Sequence, residues 1–339
     1  MKAAHIYGVK DIQVKEAEVP ALLPGTVKVK VSYAGICGSD MHEYLAGLYP
    51  IRKQPVLGHE FSGVVTEIGE GVTRVKVGDR VAVEPLIPCG RCANCRRGMA
   101  NLCTNSQGYG YTLSGGFAEY AVVREENAFI LPDSMPLELG ALVEPTAVAV
   151  HAVRQSQLNL GDSVAVFGAG PIGLLLLQAV KAAGAGQIFV VEVSEERREK
   201  ALELGATHAM NPVEVDAVKR IREMTNGGVD VAFDAAGVQA TFESGIYAVR
   251  PGGEFKIISL WEKPVTFNPS VIVKTEAKIS GSYAYNNLFP EVIQLLASGR
   301  IDGHAVITSM IALDDIVEQG FEQLTKDRKQ CKILVDMNK

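Results

Sequence analysis

Gly168-Ala169-Gly170-Pro171-Ile172-Gly173 stands between a β-branched apolar run, SVAVF, and a long apolar stretch, IGLLLLQAVKAAG. Few folds let a strand turn on glycines directly into a helix. The first glycine permits the tight turn, the second lets the backbone approach a diphosphate, and the third lets the helix pack against the strand. The helix N-terminus, at Pro171 and Ile172, then offers free N–H groups and its dipole to negative charge. Taken bare, these glycines are only a turn before a buried helix, so the flanking chain has to decide.

From about Leu158 onward strand and helix alternate: SVAVFGA, a helix from about Ile172, QIFVVEV, a helix from about Glu195, VDVAFDAA and GEFKIIS. Such alternation predicts a parallel sheet with crossover helices. Glu192 lies nineteen residues beyond Gly173, at the end of the next strand, where a carboxylate can accept from the ribose hydroxyls of a dinucleotide. It would repel a 2′-phosphate, and no arginine immediately follows it, so the expected cofactor is NAD rather than NADP. Arg197 and Arg198 read as a solvated helix face, with Arg197 also able to stack on adenine.

Earlier in the chain the rhythm is different. From Val27 to about Val123 short β-branched runs (VKVKVSYAG, FSGVVTEIG, DRVAVEP, GGFAEYAVV) are separated by Gly, Pro and Asp turns, which predicts an all-β, barrel-like unit. With 339 residues, 47% of them hydrophobic, two domains are expected. The boundaries expected are residues 1–150, completed by 286–339, and 151–285. Two helical stretches, FPEVIQLLASG and LDDIVEQGFEQLTK, and a last apolar run, CKILVDM, are expected to return to the first domain.

A net charge of −6 and a pI near 5.6, with no long basic cluster, exclude a nucleic-acid surface. The amino terminus MKAAHIYGVKDIQV alternates like a first strand and has no apolar core or cleavage site, so it is not read as a signal peptide. The most apolar window, residues 163–185, is broken by Gly168, Gly170, Pro171 and Gly173, which fits a strand and helix rather than a membrane span. A soluble, cytoplasmic protein is expected.

Of six cysteines, Cys89, Cys92, Cys95 and Cys103 fall within fifteen residues. Two-residue gaps, with Gly90 and Gly98 for the sharp turns, are the spacing of a closed four-thiolate zinc site. Such a shell leaves no position for water, so its role is structural, and Arg91, Arg96 and Arg97 offset part of its negative charge. The competing reading is a loop of reduced, unliganded cysteines.

A second constellation is scattered: Gly35-Ile36-Cys37-Gly38-Ser39-Asp40-Met41-His42, Gly58-His59-Glu60 and Leu142-Val143-Glu144-Pro145. Singly, Cys37 reads as a small buried residue, His59 as a satisfied histidine, and Glu144 before Pro145 as a helix cap. Together with the four-cysteine lobe and the glycine turn, and in this order, they resemble the zinc-dependent medium-chain dehydrogenases from end to end. Within that family the chain is most similar to 2,3-butanediol dehydrogenases, then to sorbitol dehydrogenases, through VLGHEFSGVV, GALVEPTAVAVHAVR, IISLWEKP and CKILVDMNK.

The resemblance implies an α/β protein: a GroES-like β-barrel catalytic domain and a Rossmann, doubly wound parallel-sheet domain, with the active site in the cleft between them. It implies a catalytic zinc held by Cys37, His59 and Glu144, with Glu60 a conditional fourth ligand, and a proton relay through Ser39 and His42. It further implies two zinc ions per chain, NAD as hydride acceptor, a small diol or polyol as substrate, and a homodimer or homotetramer. The reaction implied is reversible oxidation of a secondary alcohol, with 2,3-butanediol and acetoin first. Sorbitol, another sugar alcohol or its phosphate, and L-threonine are the alternatives. A zinc-free reductase would have no use for Cys37, His59 and Glu144 together, and a non-catalytic NAD-binding protein none for an open metal site.

Overall fold

The two rhythms of the sequence become two separate sheets. The computed structural model describes residues 1–47 and 56–339. The chain divides into two compact units, one of residues 1–144, 289–299 and 307–339, the other of 145–288 and 300–306.

The first unit is built on a seven-stranded sheet. Its order is Ile307–Ala312, Lys332–Asp336, Thr26–Gly35, Glu60–Ile68, Arg80–Val83 and Ala128–Ile130, with Tyr120–Arg124 also pairing with Thr26–Gly35. TVKVKV explains the central strand. Val27, Val29 and Val31 are wholly buried on one face, while Lys28 points outward and meets Glu67 at 2.8 Å. Each such valine contributes about 1.5–3 kcal/mol on burial. The amino terminus is a hairpin, Lys2–Gly8 with Asp11–Glu16, rather than one strand.

The second unit is an entirely parallel sheet of six strands. Its order is His208–Met210, Gln187–Val191, Ser163–Phe167, Val229–Asp234, Val249–Ile257 and Lys278–Gly281. Val164 to Phe167 have no exposed surface, as expected where helices cover both faces of a sheet. This doubly wound arrangement is the one expected from the sequence. The strand order reverses beside Ser163–Phe167, so the crevice at the carboxyl ends of that strand and of Val229–Asp234 is the switch point where such sheets bind ligands.

FPEVIQLLASG forms the helix Phe289–Ala297, and CKILVDM the strand Lys332–Asp336. LDDIVEQGFEQLTK is not one regular helix. It is a 3-10 turn, Leu313–Asp315, a π-type turn, Ile316–Phe321, and a short α-helix, Glu322–Lys326. Close packing accompanies the widening: a side chain at Gly320 would come within 2.7 Å of Ile36 and 3.1 Å of Ile311. Among the described residues no helix is long and apolar enough to cross a membrane.

Candidate functional site

Cys37 ends the extended run after the strand Thr26–Gly35 and is the N-cap of the helix Gly38–Ala46. Asp40, three residues into that helix, accepts from the Cys37 N–H at 2.9 Å. The other Asp40 oxygen lies 3.5 Å from His59 Nδ1, within ion-pair range but long for a hydrogen bond. His59, almost fully buried, precedes the neighbouring strand Glu60–Ile68, and Glu60 is its first residue. Adjacent antiparallel strands therefore bring together residues that are more than twenty positions apart.

The ligand atoms of Cys37, His59 and Glu60 all lie within 4.8 Å of one another. Glu144, buried in the first turn of the helix Val143–Arg154, is not in that set. Its charge still acts on Tyr111 and Lys332, so it is a neighbour of the group. Glu144 is inside the helix rather than capping it. The Glu60 carboxylate is held by Lys332 Nζ, at 2.6 and 2.8 Å to its two oxygens, and Lys332 also donates to the Ile36 carbonyl at 3.1 Å. Ser39 Oγ is 3.5 Å from His59 Nε2 and 3.5 Å from Tyr111 Oη. His42, one turn further along the helix, is half-buried.

Burial works against a charged His59, but the Asp40 and Cys37 charges outweigh it and hold its pKa well above the usual imidazole value. The charges of Glu60, Cys37 and Glu144 act on the buried Lys332 ammonium, and that of Asp40 on His59. A thiol, an imidazole and a carboxylate converging in a field that favours positive charge is a donor set suited to a divalent zinc ion. Sequence reading missed Asp40, Tyr111 and Lys332. Asp40 stands inside the quoted motif and could have been found there; Tyr111 and Lys332 carry no local signal.

The four-cysteine lobe has the geometry of a closed site. Gly90 and Gly98 both take positive φ, and the four sulfurs lie within 4.8 Å of one another. Cys92 Sγ is 3.5 Å from that of Cys95 and 3.9 Å from that of Cys103. Sulfurs on a tetrahedron with ~2.3 Å bonds are roughly 3.8 Å apart. The N–H groups of Cys95 and Thr104 pull the Cys92 thiol down to about 5, whereas burial and the neighbouring sulfurs push Cys95 up to about 12. Four thiols this close cannot all ionise unaided, and a divalent cation removes the conflict.

In the second unit the glycine turn meets the requirements of a dinucleotide cradle. Gly168 has φ +97°, and a side chain at Gly173 would overlap the Gly168 carbonyl. Gly170, before Pro171 and Ile172 at the start of the helix Pro171–Ala182, has only the Arg197 guanidinium near its missing side chain, at 3.9 Å. That open cradle, facing a helix N-terminus and a cation, fits a diphosphate. Glu192 is buried at the strand end and accepts from Ala169 N–H at 2.7 Å and Ser194 N–H at 2.9 Å. Arg198, half-buried, donates to the Glu192 and Val193 carbonyls at 3.0 and 2.7 Å. Asp234, at the end of the central strand and wholly buried, accepts from Ala236 N–H, Gly237 N–H and Ser259 Oγ, the last at 2.6 Å. It ties together the two loops that border the crevice, and sequence reading missed it.

Comparison with known proteins covers nearly the whole chain. Residues 23–133 match the alcohol dehydrogenase GroES-like domain and residues 171–298 the zinc-binding dehydrogenase domain. Among curated relatives, the (R,R)-butanediol dehydrogenase of Bacillus subtilis is 46% identical over 100% of both chains. The sorbitol dehydrogenase of the same organism is 38% identical over 100% of this chain and 98% of its own. The crystal structure of the Bacillus subtilis 2R,3R-butanediol dehydrogenase superposes with a TM-score of 0.93 at 45% identity, covering 99% of each chain.

Proposed function

Because the chain belongs to the zinc-binding alcohol dehydrogenases, we propose that it oxidises the secondary alcohol of a small diol, 2,3-butanediol first, to the ketone acetoin, and reverses that reaction. It is an oxidoreductase acting on CH–OH donors, with NAD as the proposed hydride acceptor. The reading rests on one observation above the others: the donor atoms of Cys37, His59 and Glu60 lie within 4.8 Å of one another beside the Ser39 hydroxyl.

In this reading Cys37 and His59 hold the catalytic zinc, and Glu60 and Glu144 supply the carboxylates. Glu60 would be available as a ligand once its hold on Lys332 loosens, and Glu144 stands in the first turn of the helix Val143–Arg154, its charge acting on the same group. Zinc, when bound, would supply Lewis acidity toward the alcohol oxygen, and NAD, when bound, would supply the hydride acceptor. The protein's own share is positioning and proton transfer. Asp40 faces Nδ1 of His59 and thereby directs Nε2 toward the group. Ser39 Oγ takes the proton of the substrate hydroxyl, and His42 carries it onward to solvent. Cys89, Cys92, Cys95 and Cys103 hold a second, structural zinc.

For the cofactor, the N–H groups of Gly170, Ile172 and Gly173 and the Arg197 guanidinium receive the diphosphate. Glu192 keeps lone pairs for the adenosine ribose hydroxyls while two backbone N–H groups fix its direction. With Arg198 committed to main-chain carbonyls, the buried Glu192 carboxylate is the group a 2′-phosphate would meet, and its charge favours NAD. The protein is read as cytoplasmic and homo-oligomeric, pairing through the sheet edge at Lys278–Gly281.

The test is NAD reduction with the butanediol stereoisomers, sorbitol, xylitol and L-threonine at equal concentration. The expected outcome is the highest kcat/KM on one butanediol stereoisomer. A preference for sorbitol or xylitol moves the substrate to the longer polyols, and turnover of none of them overturns the small-diol reading.

A further inference from the structure

Tyr111 has no part in the reaction outlined above, yet it is built into the site. Its ring stacks on His59, with centroids 4.5 Å apart and planes 25° from parallel. Its hydroxyl stands 3.5 Å from Ser39 Oγ, which is itself 3.5 Å from His59 Nε2. The turn that carries it is tightly packed. Tyr111 N–H donates to the Gly108 carbonyl at 3.2 Å, and a side chain at Gly110 would come within 2.7 Å of the Gly58 backbone. Two hydroxyls from distant parts of the first unit are thus set side by side next to the candidate metal ligands.

We propose that Tyr111 Oη is the docking point for the second oxygen of a vicinal diol or hydroxyketone, so that the site selects substrates with an oxygen on the carbon next to the reacting one. This rests on the dehydrogenase reading and names the substrate feature the site recognises. Ser39 Oγ marks the place of the reacting oxygen. In a vicinal diol the neighbouring oxygen lies about 3 Å away, the scale of an O–H···O contact, which matches the spacing of the two protein hydroxyls. A simple secondary alcohol sets a methylene there instead. Such a substrate offers the phenol no oxygen, and sites made to bond an oxygen discriminate most strongly against analogues that lack it. The stacked ring separately keeps water from that side of His59.

The experiment compares wild type with Tyr111→Phe, which keeps the stacked ring and removes only the hydroxyl. The quantity read is the ratio of kcat/KM for 2,3-butanediol, as the preferred stereoisomer, to kcat/KM for 2-butanol. The expected result is a ratio at least about tenfold lower in Y111F. A ratio within about twofold of wild type overturns the role of Tyr111 while leaving the dehydrogenase reading intact. Wild type that oxidises neither alcohol overturns both the role of Tyr111 and the reading of 2,3-butanediol as substrate. Where turnover of Y111F is too slow to follow, the same ratio is read as dissociation constants of acetoin and 2-butanone from the enzyme–NADH complex by NADH fluorescence. An unchanged ratio there overturns the proposal equally.

Discussion

Two glutamates of the first unit, one buried and one half-buried, show how differently one side chain can be handled. Glu60, with no exposed surface, has both oxygens on Lys332, itself only 2% exposed, so its charge is answered within the protein. Glu84, just past the strand Arg80–Val83, has its pKa raised from 4.5 to about 7 by burial alone. A raised carboxyl pKa means the folded chain holds a proton that the unfolded chain has released, so stability falls as pH climbs from 4.5 to about 7 and then levels off. Glu84→Gln removes that loss. Its urea midpoint should match wild type near pH 4 and correspond to about 3 kcal/mol more stability at pH 8. Equal midpoints at pH 8 would show that Glu84 ionises without cost.

At the scale of elements, what matters is how strand ends and loops are tied. Asp234 closes the strand Val229–Asp234 and holds residues 235–237 and 258–259 through side-chain and main-chain bonds. A side chain at Gly168 would lie 3.0 Å from Ala236, so the first of these loops forms a wall of the glycine turn. Asp234→Ala leaves three donors without a partner. It should cost about 2–3 kcal/mol of stability and raise the NADH dissociation constant about tenfold. NADH titration by fluorescence checks this, and unchanged affinity would separate the loops from cofactor binding. The glycine turn was legible because its physics is local: a tight turn, a close approach and a helix start occupy six consecutive residues. The four cysteines were legible for the same reason. Lys332 was not, because its partner Glu60 lies 272 residues earlier and nothing near CKILVDM distinguishes a buried lysine from a surface one. Tyr111 was hidden in a Gly-rich turn whose packing on His59 depends on the sheet being formed. The π-type turn at Ile316–Phe321 escaped a periodicity reading because the apolar spacing there serves equally for an ordinary helix.

At the scale of the whole molecule, the residues read as metal-holding belong to the first unit and the glycine turn with Glu192 to the second. Damage to one set should therefore leave the other working. Cys37→Ser is expected to lose turnover and one zinc equivalent by metal analysis, while NADH affinity stays within about twofold of wild type. Substantial activity in a zinc-free preparation of C37S would remove Cys37 from the chemistry. The four-cysteine lobe carries a different consequence. Its helix Ala93–Arg96 and its 3-10 turn Ala100–Leu102 bury none of their own residues, so it has little hydrophobic core and relies on its sulfurs. With zinc as its proposed occupant, the lobe would be a loose surface flap in a chain made when the metal is scarce, the kind of stretch proteases cut first. The lifetime of such a chain in a cell would then follow the supply of metal, whatever the rate at which its message is translated.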